Sequence, residues 1–142
     1  MKVKIKKLDE EAVVPSYASA GAAGADLYAT EGKIVPAGQV VRFGTGISVE
    51  LPTGTVGLVF ARSGLATKRN LAPANKVGVV DSDYRGEIIV ALHNFGAADE
   101  KIVAGERIAQ LVIMPYCTAE FEISDELGVT ARGDGGFGST GK

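Results

Sequence analysis

Hydrophobic residues in this chain come in short runs cut by glycine and proline. KVKIKKL, near the start, alternates apolar and basic positions with period two. QVVRF, GISVEL and TVGLVF are rich in β-branched and aromatic residues, and VGVV, EIIVALHNF, RIAQLVIMPY and AEFEI continue the pattern. Turn signals (PAG, LPTG, NFGAAD, VAGE) fall between them at short intervals. Short strands so spaced predict an all-β fold, a sandwich or barrel. Only SGLATKRN and SYASAGAAGADLYAT are expected to hold a helical turn. Such a chain has edge strands to protect, and closing into a jelly roll or trimerising would relieve them. With 142 residues, no internal repeat and no linker, a single domain over 1–142 is expected. Its last part, about 128–142, is glycine-rich and poor in apolar groups after ISDELGVTA. Ordering glycines costs backbone entropy, so this part is expected to be a mobile arm that orders only against something.

Composition narrows the function. The chain is 46% hydrophobic and 23% charged, with a net charge of −2. A generic nucleic-acid or anionic-membrane surface needs a basic excess, so neither direct nucleic-acid binding nor a membrane partner is expected. A small anionic ligand held by a few local cations is still allowed. The one cysteine, Cys117, cannot form an internal disulfide, and its expected place is as a buried small hydrophobe in IMPYCTAEF. One Cys and one His, His93, cannot build a zinc site. MKVKIKKLDEE has no apolar signal core, and no run approaches the ~20 apolar residues of a membrane helix. A reducing, cytoplasmic setting is the expectation.

Several segments carry chemistry. RGDGGFGSTGK, Arg132 to Lys142, matches the letters of a dinucleotide fingerprint and most of a phosphate loop. The first needs a strand before and a helix after, the second a closing Ser/Thr and a helix, and these residues write neither. What survives is the shared chemistry. Glycines let N–H groups approach an anion, Ser139 and Thr140 add hydroxyls, Arg132 offers a bidentate fork, and Phe137 could stack on a base. The competing reading is a disordered terminus. GVVDSDYRGEI, Gly78 to Ile88, reads as a hairpin with Asp81 where a strand ends. A carboxylate there could deprotonate a water, although Asp81 and Asp83 are also ordinary turn-formers. ARSGLATK aims N–H groups and a guanidinium at an anion, or is an N-cap serine beside a surface arginine. AGADLYAT sets Asp26 among small residues. GERIAQLVI reads as a strand with alternate residues buried, punctuated by Arg107 and Gln110.

Taken in order, AGADL, ARSGLA, GVVDSDYRGE, GERIAQL and RGDGGFGSTG resemble the five signature segments of the trimeric deoxyuridine triphosphatase (dUTPase) family, from Ala23 to Gly141. Ala61 stands where the second segment often has proline. The resemblance implies a β jelly roll in a homotrimer with shared active sites, hydrolysing dUTP to dUMP and pyrophosphate with Mg²⁺. That reaction limits uracil in DNA and supplies dUMP for thymidylate synthesis. It implies Asp81 as the carboxylate activating water against the α-phosphorus. It places Asn75, Gly78, Val79, Val80 and Ile89 at the uracil, and Tyr84 under the deoxyribose. Arg62, Ser63, Gly64 and Gln110 would contact phosphates. Arg132, Phe137, Gly138, Ser139 and Thr140 would form the arm, with Phe137 on the uracil and the rest on the γ-phosphate. Asp26 would serve Mg²⁺ through water, or support the site.

The same fold also serves dCTP deaminases, bifunctional deaminase-hydrolases and dUTP-binding regulators. Deamination needs a different acid/base set, including a glutamate near the base, and those segments are not seen here. An intact Asp81 and a full arm favour hydrolysis.

Overall fold

A computed structural model describes residues 1–136. In chain order the elements are β1 (Lys4–Lys7), β2 (Ser16–Tyr17), β3 (Ala25–Tyr28), β4 (Lys33–Val35), β5 (Val40–Gly44), β6 (Ile47–Glu50) and β7 (Thr55–Phe60). There follow α1 (Ser63–Lys68), β8 (Leu71–Pro73), β9 (Gly78–Val80), β10 (Ile89–Asn94), β11 (Glu100–Ile102) and β12 (Arg107–Pro115). Every paired strand runs antiparallel to its neighbour. The largest sheet has the order β2-β3-β12-β7-β9, a second runs β5-β10-β8, and β1-β6 and β11-β4 are two-stranded. Sequence neighbours are mostly not sheet neighbours, which is the wrapped connectivity of a jelly-roll-like β fold.

The core follows from alternation. TVGLVF on β7 buries every second residue, and IVALHN on β10 does the same from Val90. Phe43, Leu27, Ile47, Leu71, Leu92 and Ile108 meet in the centre, each 0–1% exposed. Each such side chain contributes about 1.5–3 kcal/mol of burial. Asn94 is wholly buried but satisfied: its amide donates to the Val35 and Ala98 carbonyls at 2.9 and 2.8 Å. It thereby pins the β4 and β10–β11 segments together.

Three expectations change. SYASAGAAGADLYAT holds no helical turn; it forms β2, a turn and β3. AEFEI forms no strand, and Phe121 and Ile123 are 95% and 100% exposed. Cys117 is exposed rather than buried, because β12 ends at Pro115 and the chain then leaves the barrel. Pro115 still pairs with Thr55 and the Tyr116 N–H donates to the Gly54 carbonyl at 3.1 Å; beyond Tyr116 the described residues form no strand. The expected helical turn in SGLATKRN is present as α1. Its N-cap is Arg62, in extended conformation and without a side-chain cap bond, so Ser63 is the first helical residue and not the cap.

Candidate active site

The β9–β10 hairpin builds one half of the site. β9 delivers Asp81 to its exposed end, and Tyr84 follows on the same loop. The loop is internally braced. The Tyr84 N–H donates to the Asp81 carbonyl at 3.1 Å. Arg85 Nη1 donates to the Ser82 and Tyr84 carbonyls at 2.8 and 2.9 Å. The Tyr84 hydroxyl donates to the Glu87 carbonyl at 3.0 Å. Tyr84 folds back over Gly86, where any Cβ would collide with its hydroxyl oxygen. Beside this loop lies a slot of about 240 Å³, which Asn75, Gly78–Val80, Asp81, Tyr84 and Ile89 line together with Pro73 and Glu87. All seven residues predicted at the base, the sugar and the water therefore face one cavity. The Asn75 turn is tight, with Lys76 at φ 64 and the Val77 N–H donating to the Asn75 carbonyl at 2.7 Å.

The predicted phosphate contacts form a second cavity. Asp26, Arg62, Ser63, Gly64 and Gln110 line it over a floor of small residues, Ala22 to Gly24. β3, β12 and β7 lie side by side here, with Gln110 opposite both Asp26 and Phe60. Asp26 is 6% exposed. Its Oδ1 accepts from Arg62 Nε at 2.8 Å and its Oδ2 from Arg107 Nη1 at 3.2 Å. The carboxylate thus aims Arg62 at the start of α1. Gln110 Nε2 donates to the Ala61 carbonyl at 2.9 Å, and a Cβ at Gly24 would stand 2.5 Å from Gln110 Oε1. Gly24 is needed for close approach, not for its φ. At the far end of α1, Arg69 holds the helix to the barrel through Glu100 (2.7 Å), Glu106 and the Lys101 carbonyl. Partial burial pulls the Arg69 guanidinium down. Its bonds to the two glutamates outweigh that and hold it above the ordinary range.

The structure therefore groups the predicted residues into two half-sites that line different cavities of one chain. Arg132 belongs to neither: its Nε donates to the Gly135 carbonyl at 2.7 Å within its own exposed segment. Phe137, Gly138, Ser139 and Thr140 lie outside the described residues.

Two residues were not predicted as site residues. Arg107 lies three positions before Gln110, so strict alternation puts them on opposite faces. A register shift between Arg107 and Ala109 brings both toward Asp26, and Ile108 and Ala109 are buried in succession, against the expected alternation. Glu87, which reaches the β5–β6 turn, had no signal beyond its place in the third segment.

Comparison with known proteins covers nearly the whole chain. The dUTPase family model matches residues 10–141. A deoxyuridine 5'-triphosphate nucleotidohydrolase of Desulfitobacterium hafniense is 51% identical, covering 99% of this chain and 97% of that protein. Its namesake in Corynebacterium glutamicum is 48% identical, over 99% and 95%. The solved structure of the Staphylococcus bacteriophage 80alpha dUTPase with dUPNHPP superimposes with a TM-score of 0.93 at 28% identity, covering 99% of both chains. With the family model matching residues 10–141 and a relative half identical over nearly the whole length, the chain belongs to the dUTPase family.

Proposed function

We propose that this chain hydrolyses dUTP to dUMP and pyrophosphate through the site just described. The observation that carries the reading is Asp81, standing at the mouth of a slot that Asn75, Gly78–Val80 and Tyr84 also line. Asp81 takes a proton from a water whose oxygen attacks the α-phosphorus. The bond from that phosphorus to the bridging oxygen of the β-phosphate breaks, and pyrophosphate leaves. Such transfers ask the protein for positioning and charge stabilisation rather than covalent chemistry. Uracil enters between backbone groups of Gly78–Val80 and Asn75, with Ile89 across the hairpin. Backbone donors and acceptors in fixed order leave a wrong base unpaired. Tyr84 lies under the deoxyribose and leaves no room for a 2′-hydroxyl.

Arg62, Ser63, Gly64 and Gln110 meet the phosphates. Mg²⁺ enters as part of the substrate. Among the described residues no three His, Cys, Asp or Glu groups gather to hold a metal, and Asp26 gives both oxygens to arginines. That donor set fits an ion carried on triphosphate oxygens and waters, as Mg²⁺ usually is. The ion offsets phosphate charge. Any water-mediated part Asp26 plays toward it is played by a carboxylate that also orients Arg62.

The active form is a homotrimer with shared sites. Two observations support this. The uracil half and the phosphate half line separate cavities of one chain, so a second copy is needed to bring them together. Phe121, Ile123, Leu127 and Val129 are 89–101% exposed, an apolar load that a neighbouring copy would cover. The arm from about 128, with Arg132 and residues 137–140, then closes over a neighbour's site and excludes water. The setting is cytoplasmic, where the nucleotide pool lies; among the described residues no helix is long and apolar enough to cross a membrane.

The test is pyrophosphate release with Mg²⁺ and, separately, dUTP, dCTP, dTTP and UTP. Pyrophosphate and dUMP from dUTP alone are expected. Conversion of dCTP to a uracil nucleotide would move the chain to the deaminase branch. Tight dUTP binding without turnover would make it a regulator.

A further inference from the structure

We infer that Glu87 is a positioning residue that sets sugar selectivity by latching the Tyr84 loop to the β5–β6 turn. The inference rests on the proposed place of Tyr84 under the deoxyribose.

The bonds of Asp81, Tyr84 and Arg85 all stay inside the loop, so they shape it without fixing it to the barrel. The backbone of Ile88, just beyond, is tied down. Its N–H donates to the Ile47 carbonyl at 2.9 Å, and its carbonyl accepts from Thr45 Oγ1 at 2.6 Å. Within 81–87 one side chain has a hydrogen bond to the barrel among the described residues. Glu87 Oε1 accepts from the Gly46 N–H at 2.8 Å.

The turn is shaped to receive that carboxylate. A Cβ at Gly44 would stand 2.6 Å from Glu87 Oε1. Gly46 has φ +66, which aims its N–H, and a Cβ there would meet Ala12 and Thr30 at 2.7 and 2.8 Å. Thr30 holds the turn from the other side, its N–H and Oγ1 donating to the Gly44 carbonyl at 3.0 and 3.1 Å. A carboxylate taking a backbone N–H is a charge-assisted bond, stronger than a neutral one.

The consequence reaches the sugar through one atom. The carbonyl of Glu87 holds the Tyr84 hydroxyl and shares a peptide plane with the Ile88 N–H, so the ring hangs on a peptide that the Ile47 carbonyl anchors on one side and the Glu87 carboxylate on the other. Glu87 also lines the slot itself. A ring free to tilt would admit a 2′-hydroxyl. The latch therefore acts on the choice between dUTP and UTP more than on the chemistry at phosphorus.

The test measures kcat/KM for dUTP and for UTP in four proteins: wild type, Glu87→Ala, Glu87→Gln and Gly44→Ala. In Glu87→Ala the dUTP-to-UTP ratio is expected to fall about tenfold, less than the roughly hundredfold that a misplacement of about 1 Å can cost. Gly44→Ala, which pushes on Glu87 from the turn without touching the slot, is expected to give the same fall. Glu87→Gln keeps an oxygen acceptor for Gly46 and is expected to keep the ratio. A ratio unchanged in both alanine variants would overturn the latch. So would an equal fall in the glutamine variant. Exchange of the Gly46 amide proton, read by NMR, supplies a measure independent of activity. It is expected to accelerate in Glu87→Ala and not in Glu87→Gln, and unaltered exchange in Glu87→Ala would also overturn the latch. Wild-type protein that showed no preference for dUTP while the amide behaved as expected would sink the reading of the Tyr84 site and leave the contact standing.

Discussion

Replacing Asp26 by alanine separates stability from phosphate binding at a single carboxylate. The wild-type side chain is 9% exposed and accepts two charge-assisted bonds, from Arg62 at 2.8 Å and Arg107 at 3.2 Å. The guanidiniums differ in surroundings: the Arg62 side chain is 27% exposed and that of Arg107 48%. Removing one partner of a fully buried pair costs about 3–5 kcal/mol. Arg62 keeps some access to water, and a pair as exposed as that of Arg107 is worth only about 0–1 kcal/mol. The expected loss is therefore about 2–3 kcal/mol, nearly all of it through Arg62. For a chain of this size each kilocalorie moves the midpoint by about 2–4 °C, so Tm should fall by roughly 5–10 °C. Thermal unfolding must be compared at equal protein concentration, because assembly also raises Tm. Turnover should fall about a hundredfold at temperatures where the variant is still folded, since Arg62 loses its aim. Arg107→Met should cost less than 1 kcal/mol. Unfolding of Asp26→Ala within about a degree of wild type, or an equal fall in Arg107→Met, would refute this role of the Asp26 carboxylate.

Asp81→Asn should bind dUTP nearly as well as wild type by calorimetry and release pyrophosphate about 10²–10⁴ times more slowly; full activity would remove Asp81 from the base role. Deleting Arg132 to Lys142 should abolish most turnover while the trimer persists in analytical ultracentrifugation, and loss of the trimer would make the arm structural first. Glu50 offers a pH prediction: its hydrogen bond and charge pairing with Lys4, with a smaller effect of Arg85, hold its carboxyl below the ordinary glutamate range. A carboxyl lowered on folding contributes stability above its unfolded pKa and loses it as the pH falls through the folded value. Glu50→Gln should therefore lower neutral stability slightly, the pair being exposed, and flatten the acid limb of a stability–pH curve by the same small amount; an unchanged acid limb would count against the Lys4 contact.

How much of this was legible in the sequence depends on the range of the interaction. The strands read well because alternation is local: TVGLVF needs nothing beyond itself to show which face is buried. AEFEI carries the same pattern and forms no strand among the described residues, because a strand also needs a partner edge, and the chain's last bond to the β7 side is from the Tyr116 N–H to the Gly54 carbonyl. Cys117 was misplaced for that reason. The grouping of candidate residues read well where one segment holds them, as Gly78 to Ile88 does, and the slot gathers them. It read poorly where two segments meet. Arg107 joins Asp26 only because a bulge breaks the period between them, and periodicity cannot announce its own failure. Glu87 is the sharper case. Its partner, a backbone N–H 41 residues away, has no side chain to leave a mark. The trace it does leave is negative, a glycine at 44 whose φ is ordinary and whose missing Cβ is the space the carboxylate fills. A glycine that no turn requires is thus a sign that something from elsewhere in the chain approaches closely, and Gly24 against Gln110 repeats the rule in the phosphate half of the site.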